Sequence, residues 1–215
     1  MIRKLLITVA LGLSVFQTGY AQDMHFSQYY ANPLYLNPAF AGTVMCPRLI
    51  MNYRNQWPAI SGTYTTYSAS YDQHIESMSG GVGLMVNTDK AGEGTITTNV
   101  ISGIYSYRLP VNRFFSIKAA LQATYFQKKI DWDKLTFGDQ IDPRYGFIHY
   151  TQETKPAELV KGAVDFSAGL LGYGESFFAG VAVNHLTQPQ EGFFSSSKLP
   201  MKITAHAGGI IDLQH

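Results

Sequence analysis

The chain has 215 residues and a single cysteine, Cys46. An internal disulfide is excluded, and cysteine metal clusters with it. Buried among apolar neighbours is the place expected for a lone, small thiol of this kind. Charge is also scarce: Asp, Glu, Lys and Arg make up 14% of the chain, against roughly 25% in an ordinary soluble domain. A formal net charge of +1 gives no support for nucleic-acid binding, which would need a basic patch. No apolar run approaches the roughly 20 residues that a membrane helix needs. The six histidines, His25, His74, His149, His185, His206 and His215, are scattered without an H-E-x-x-H spacing, so they read as structural or surface groups and no metal or other cofactor is expected. No G-x-S-x-G elbow is present, and a lipid hydrolase would have to rest on an unmotivated pair such as Ser102 and His206. The chain is therefore expected not to be an enzyme.

Aromatic residues, at 13%, and glycines, numbering 20, are plentiful, while the mean hydropathy is −0.05. A membrane β-protein has this balance, because lipid-facing apolar side chains alternate with interior polar ones and the average stays neutral. Residues 1–21 read as an export leader. Arg3 and Lys4 supply its positive end, Leu5 to Phe16 its apolar stretch, and Gly19-Tyr20-Ala21 a small-x-small cleavage site before Gln22. Cys46 lies too far beyond that site to be a lipid-anchored first residue.

Residues 22–47 form the densest stretch. Two Asn-Pro steps, Asn32-Pro33 and Asn37-Pro38, punctuate a run that holds Phe26, Tyr29, Tyr30, Leu34, Tyr35, Leu36 and Phe40. Each proline fixes its own φ near about −65°, removes an amide donor and pushes the preceding asparagine toward extended geometry. Neither a long helix nor a central strand can pass through, which predicts an irregular strap. So much apolar surface must pack against the remainder of the chain. A second dense stretch, Asn52-Tyr53-Arg54-Asn55-Gln56-Trp57-Pro58, opens residues 48–215.

Within 48–215 the dominant period is two. From Phe114 to Phe126 the residues Phe115, Ile117, Ala119, Leu121, Ala123 and Tyr125 share one face, and Ser116, Lys118, Ala120, Gln122 and Thr124 the other. Similar alternation runs from Ala163 to Tyr173, from Phe177 to His185 and from Lys202 to Gly209. Earlier strands are expected over 48–57, 63–74, 80–87 and 95–108, the last with poor alternation at its start. Glycines in Gly80-Gly81-Val82-Gly83 and Gly172-Tyr173-Gly174 fall inside these strands, where they permit bends. Leu109 to Asn112 and Gly174 to Ser176 are tight turns, whereas Gln127 to Gly162 and Leu186 to Pro200 are long. Short periplasmic turns opposite longer outer loops, with Tyr105, Tyr107, Tyr125, Tyr173, Phe177 and Phe178 as an aromatic girdle, predict an all-β, antiparallel transmembrane β-barrel of about eight strands. The chain stops at Asp212-Leu213-Gln214-His215 in mid-pattern, which predicts a barrel incomplete at its C-terminus. A soluble secreted β-sandwich is the alternative architecture.

Gln22-Asp23, His25-Phe26-Ser27-Gln28-Tyr29, the run from Asn32 to Gly42 and Tyr53-Arg54-Asn55-Gln56-Trp57 together resemble the opening of the PorP/SprF family. These are outer-membrane proteins of the type IX secretion system of Bacteroidetes bacteria. The likeness is one of motif over the first quarter of the chain and one of strand rhythm beyond it. It implies a scaffold or partner barrel in the outer-membrane lipid bilayer, helping to export or retain secreted cargo proteins or gliding adhesins, with a connection to the periplasmic secretion ring. The competing reading is a transport barrel for a small solute or lipid. A pore needs an open polar path, while a scaffold tolerates a lumen plugged by its own strap.

Arg54 lies at membrane depth, where a guanidinium persists only if paired away from lipid. It is expected to point inward, with Asn32, Asn37 and the carbonyls left free by Pro33 and Pro38 as its partners, while Trp57 covers Tyr35 and Phe40. The alternative is an interfacial Arg-Trp pair anchoring a strand end. The candidate partner and strap contacts are thus Asn32, Pro33, Tyr35, Asn37, Pro38, Phe40, Arg54 and Trp57.

Overall fold

The computed structural model describes residues 23–59, 62–92, 94–193 and 197–209. The expected leader and the closing residues Asp212–His215 lie outside these. Among the described residues ten strands succeed one another: β1 (Arg48–Gln56), β2 (Tyr64–Ile75), β3 (Gly80–Ala91), β4 (Ile96–Pro110), β5 (Phe115–Ile130), β6 (Ile141–Asp142), β7 (Gly146–Phe147), β8 (Val160–Gly174), β9 (Phe177–Asn184) and β10 (Lys202–Gly209). Strands β6 and β7 form a small hairpin within the connection from β5 to β8. The other eight form one antiparallel sheet in the order β1-β2-β3-β4-β5-β8-β9-β10, curled into a half-barrel. No described helix is long and apolar enough to cross a membrane.

The alternation decides which way each strand faces. In β5 the residues Ser116, Lys118, Ala120, Gln122 and Thr124 are buried on the concave side, while Ile117, Leu121 and Tyr125 are exposed on the convex side. The register carries this parity through the sheet, pairing Ser102 with Thr124 and Gln122 with Ser167. An apolar outer wall around a polar interior results, the arrangement a bilayer requires of strands.

Strands β3 and β5 outrun their expected ends, reaching Ala91 and Ile130. Backbone pairing continues past the apolar band, where polar residues such as Thr88, Asp89, Lys128 and Lys129 fall on both faces and the period-two signal fades. Every connection at one end is short: 76–79, 111–114 and 175–176. The opposite end carries 57–63, 92–95, 131–159 and 185–201.

Two girdle expectations need correction. Tyr173 and Phe178, opposite each other across β8 and β9, face the interior and pack against Phe40 and Ala39 of the strap. Their parity with Leu171 and Gly180 turns them inward. Cys46 is exposed, because the segment that joins strap to sheet swings out at the short-turn end, where Val44, Met45 and Pro47 are exposed as well.

The strap itself lies within the curl. Tyr29–Ala31 and Pro38–Phe40 are 3-10 turns and Pro33–Leu36 is one turn of α-helix, with Pro33 and Pro38 each opening its turn. A proline is favoured there because its missing N–H would have no partner anyway. Leu34, Ala41, Met85 and Ile104 form one apolar cluster, and Ala39, Ala120 and Leu171 a second. Most of the buried apolar groups among the described residues thus sit where strap meets wall.

Candidate functional site

The strap is fastened at three levels, and the lowest is at the short-turn end. The Ala41 carbonyl accepts from Ser106 Oγ at 2.7 Å and from the buried Lys118 ammonium. Gly42 N donates to Asp72 Oδ2 at 2.8 Å, and Arg48 forks onto the same carboxylate at 2.8 and 3.0 Å. Asp72 and Lys118 are 2% and 0% exposed. Charges that deep are tolerated only when hydrogen-bonded or paired, and here the strap backbone supplies part of what they need.

At mid-height Asn37 is fully buried. Its Oδ1 accepts from Ala39 N at 2.9 Å, which caps the second 3-10 turn. Its Nδ2 donates to the Leu170 carbonyl at 3.1 Å and faces His206 Nε2 at 3.0 Å. Gly169 makes room for this: a Cβ there would stand 2.1 Å from Asn37 Oδ1. Asn32 Nδ2 donates to Ser68 Oγ at 3.0 Å on β2. One asparagine therefore holds each flank of the curl.

The upper level is at the long-connection end. His185, just past β9 with φ 60°, stands between two carboxylates. Its Nδ1 is 2.7 Å from Asp165, and its Nε2 is 3.1 Å from both oxygens of Asp23, the first described residue of the strap. Lys202 Nζ donates to Asp23 at 3.1 Å and lies 5.0 Å from the centre of the Tyr35 ring. Carboxylates only accept, so a ring flanked by two of them can donate from both nitrogens only as an imidazolium, the form this arrangement favours. Burial opposes the His185 charge, but the bonds and charges of Asp23 and Asp165 outweigh it and raise its pKa above the ordinary 6.5. For Asp23 burial likewise pulls upward, yet His185 and Lys202 hold its carboxyl down at about 2. Burial, with the nearby carboxylates Asp23 and Asp89, pushes the Tyr35 hydroxyl well above its usual range.

Between this upper level and the wall is a cavity of about 120 Å³. Its lining includes Asn87, Asp89, Ser102, Gln122, Thr124, Asp165, His185 and Lys202, with Glu191 and Leu199 contributed by the connection from β9 to β10. Asn87 is 1% exposed, and neither atom of its amide has a protein partner. Ser102 is bonded to Thr124 and Gln122, whereas His206 is engaged by Asn37. They do not form a nucleophile-base pair.

Of the residues singled out in the sequence, Asn32, Pro33, Tyr35, Asn37, Pro38 and Phe40 lie inside the curl. Arg54 points inward, in register with buried Thr66, but its partners differ from those expected. It donates to the His25 carbonyl and to Gln56 Oε1, while Asn32 and Asn37 are turned toward β2 and toward β8 to β10. Trp57 covers neither Tyr35 nor Phe40. With φ 58° it leaves the end of β1 and meets Tyr64 edge-on at 5.8 Å, itself 57% exposed. Tyr35 packs on Phe26 at 5.2 Å, and Phe40 stacks on His206 at 5.1 Å. Asp23, Asp72, Lys118, Asp165, His185 and Lys202 were missed. Their signal was parity: Asp72, Lys118, Asp165 and Lys202 all occupy interior positions of otherwise apolar-faced strands, where charge needs a partner.

A family model described as type IX secretion system membrane protein PorP/SprF matches residues 18–215. The chain belongs to the PorP/SprF family. No curated protein and no solved structure matches it. This PorP/SprF chain is accordingly a membrane component of the type IX secretion system. In it the strap and the first strand, which carry the motif likeness, are the parts that fill and brace the interior.

Proposed function

We propose that this PorP/SprF protein is a non-enzymatic scaffold of the outer membrane, serving the secretion or surface attachment of cargo proteins or adhesins. The observation that supports this best is the seated strap. Three levels of hydrogen bonds hold it along the length of the curl, and Leu34, Asn37, Pro38, Ala39 and Ala41 occupy space that a pore would leave to water. A wall so filled is suited to presenting surfaces at its two mouths. The long connections 131–159 and 185–201 form the outer one, and residues 43–47 with the short turns form the periplasmic one, facing the secretion ring.

The test is cross-linking in native outer membrane followed by purification and identification of what is covalently attached. Recovery of secretion-ring or cargo proteins supports the reading. Recovery of the chain alone, together with loss of uptake of a small solute in cells that lack it, favours the transport barrel instead.

A further inference from the structure

The strap is gripped unevenly along its length. From Asn32 to Gly42 its residues are buried or half-buried, whereas His25 and the residues from Ser27 to Tyr30 are exposed. Few contacts hold the leading part: the Asp23 carboxylate on His185 and Lys202, the Tyr35 hydroxyl on the Met24 carbonyl, the Phe26 ring and Arg54 on the His25 carbonyl. Segments with so little buried surface open locally at low cost while the rest stays folded.

Both cations of the Asp23 seat come from outside the strap, although the Tyr35 ring of the strap lies 5.0 Å from Lys202 Nζ. His185 is fixed from behind by Asp165, which is 2% exposed and also accepts from Thr187 Oγ1 at 2.6 Å. Lys202 is supplied by β10. Two cations thus converge on one carboxylate position at the edge of the cavity, and Asp23 is the strap's own occupant of it. The Asn87 amide lines the same cavity, buried and without a protein partner on either atom. It offers one donor-acceptor pair of the kind that a peptide group satisfies.

From this we infer that His185 and Lys202 form a carboxylate receptor at the long-connection mouth, occupied in cis by Asp23 and open to exchange with an aspartate side chain of an incoming peptide. Exchange lifts the leading end of the strap and exposes the cavity, while the lower two levels keep the strap in place. The inference extends the scaffold reading by giving the outer mouth a ligand chemistry. Its test involves no secretion step, so it stands or fails separately.

The experiment uses the full chain in lipid nanodiscs and two fluorescent tetrapeptides with amidated ends, Gly-Ser-Gly-Asp and its Gly-Ser-Gly-Asn counterpart, read by fluorescence anisotropy. Asp23→Asn weakens the cis occupant and is expected to bind the aspartate probe about tenfold more tightly than the unmodified chain, the value of one charge-assisted contact. The asparagine probe binds neither. Adding Lys202→Gln to Asp23→Asn removes the gain, while circular dichroism confirms that the sheet is retained. Equal affinity of the unmodified chain and Asp23→Asn, equal binding of the two probes, or no binding by Asp23→Asn overturns the inference.

Discussion

Gly42 at the foot of the strap and Gly81 on β3 meet backbone to backbone: a Cβ added to either would stand 2.6 Å from the other's Cα. Gly42 also has φ +61°, a conformation that other residues adopt at a cost. This contact sets how deeply the strap can sit. Gly81→Ala pushes a methyl into Gly42 and the Ala41 carbonyl, and the neighbouring wall is closely packed. It is expected to weaken strap docking by about 1–3 kcal/mol, the usual range for overpacking. Limited chymotrypsin digestion measures this as faster cleavage after Tyr35 and Phe40. Unchanged cleavage would show that the strap does not depend on this contact.

The two faces of the wall give a second prediction. Leu121 is 69% exposed on the convex side, so Leu121→Arg places a guanidinium in lipid at a cost of roughly 2 to 4 kcal/mol near the midplane. The adjacent Gln122 is a poor control, since it is buried and bonded to Ser102 and Thr124. Thr98 is a better one because it lines the cavity and pairs with Asp89 across β3 and β4. Thr98→Arg is expected to fold and reach the membrane at nearly normal levels. Equal loss of both variants would contradict the assigned facing.

Cys46 gives an orientation test without an inserted tag. It is the one cysteine of the chain and is exposed at the short-turn end. With that end in the periplasm, a membrane-impermeant maleimide labels it only after the outer membrane is permeabilised. A cysteine placed at Lys155 in a Cys46→Ser background is labelled on intact cells. The reverse pattern would invert the proposed topology.

The Asp23-His185 contact makes docking of the leading end depend on pH. His185 is raised above 6.5 when docked, so its contribution is complete below about 6.5 and is lost as pH rises through the higher docked value. Asp23 is lowered from 3.8 to about 2, so its contribution is present above about 3.8 and is lost as pH falls toward about 2. The groups facing His185 are Asp165 and Asp23, with Lys202 on Asp23. A spin label at Ser27→Cys in a Cys46→Ser background is expected to be least mobile between these limits and to loosen in alkali. In His185→Gln the alkaline change should vanish.

The wall was largely legible in the sequence, because a lipid-facing strand must alternate and β5, β8, β9 and β10 do so almost without exception. The position of the strap was legible only in outline. Two Asn-Pro steps announce short turns and a buried apolar load, but the choice of wall residues is made by contacts remote in sequence, such as Asn37 with Leu170 and His206. The cost of charge in lipid predicts an inward Arg54, but its carbonyl partner at His25 depends on the path of the chain. The same limit hid the seat of Asp23, whose cations come from a loop and from β10.

The central claim, that the seated strap is the working part of a scaffold and not the stopper of a transport pore, is tested most directly by surface display of a type IX cargo protein in cells carrying Asn37→Ala. That change removes the buried fastening to β8, β9 and β10 at mid-height and leaves the lipid-facing wall untouched. The account predicts normal amounts of the variant in the outer membrane together with loss of displayed cargo. Normal display accompanied by altered uptake of a small solute would contradict it.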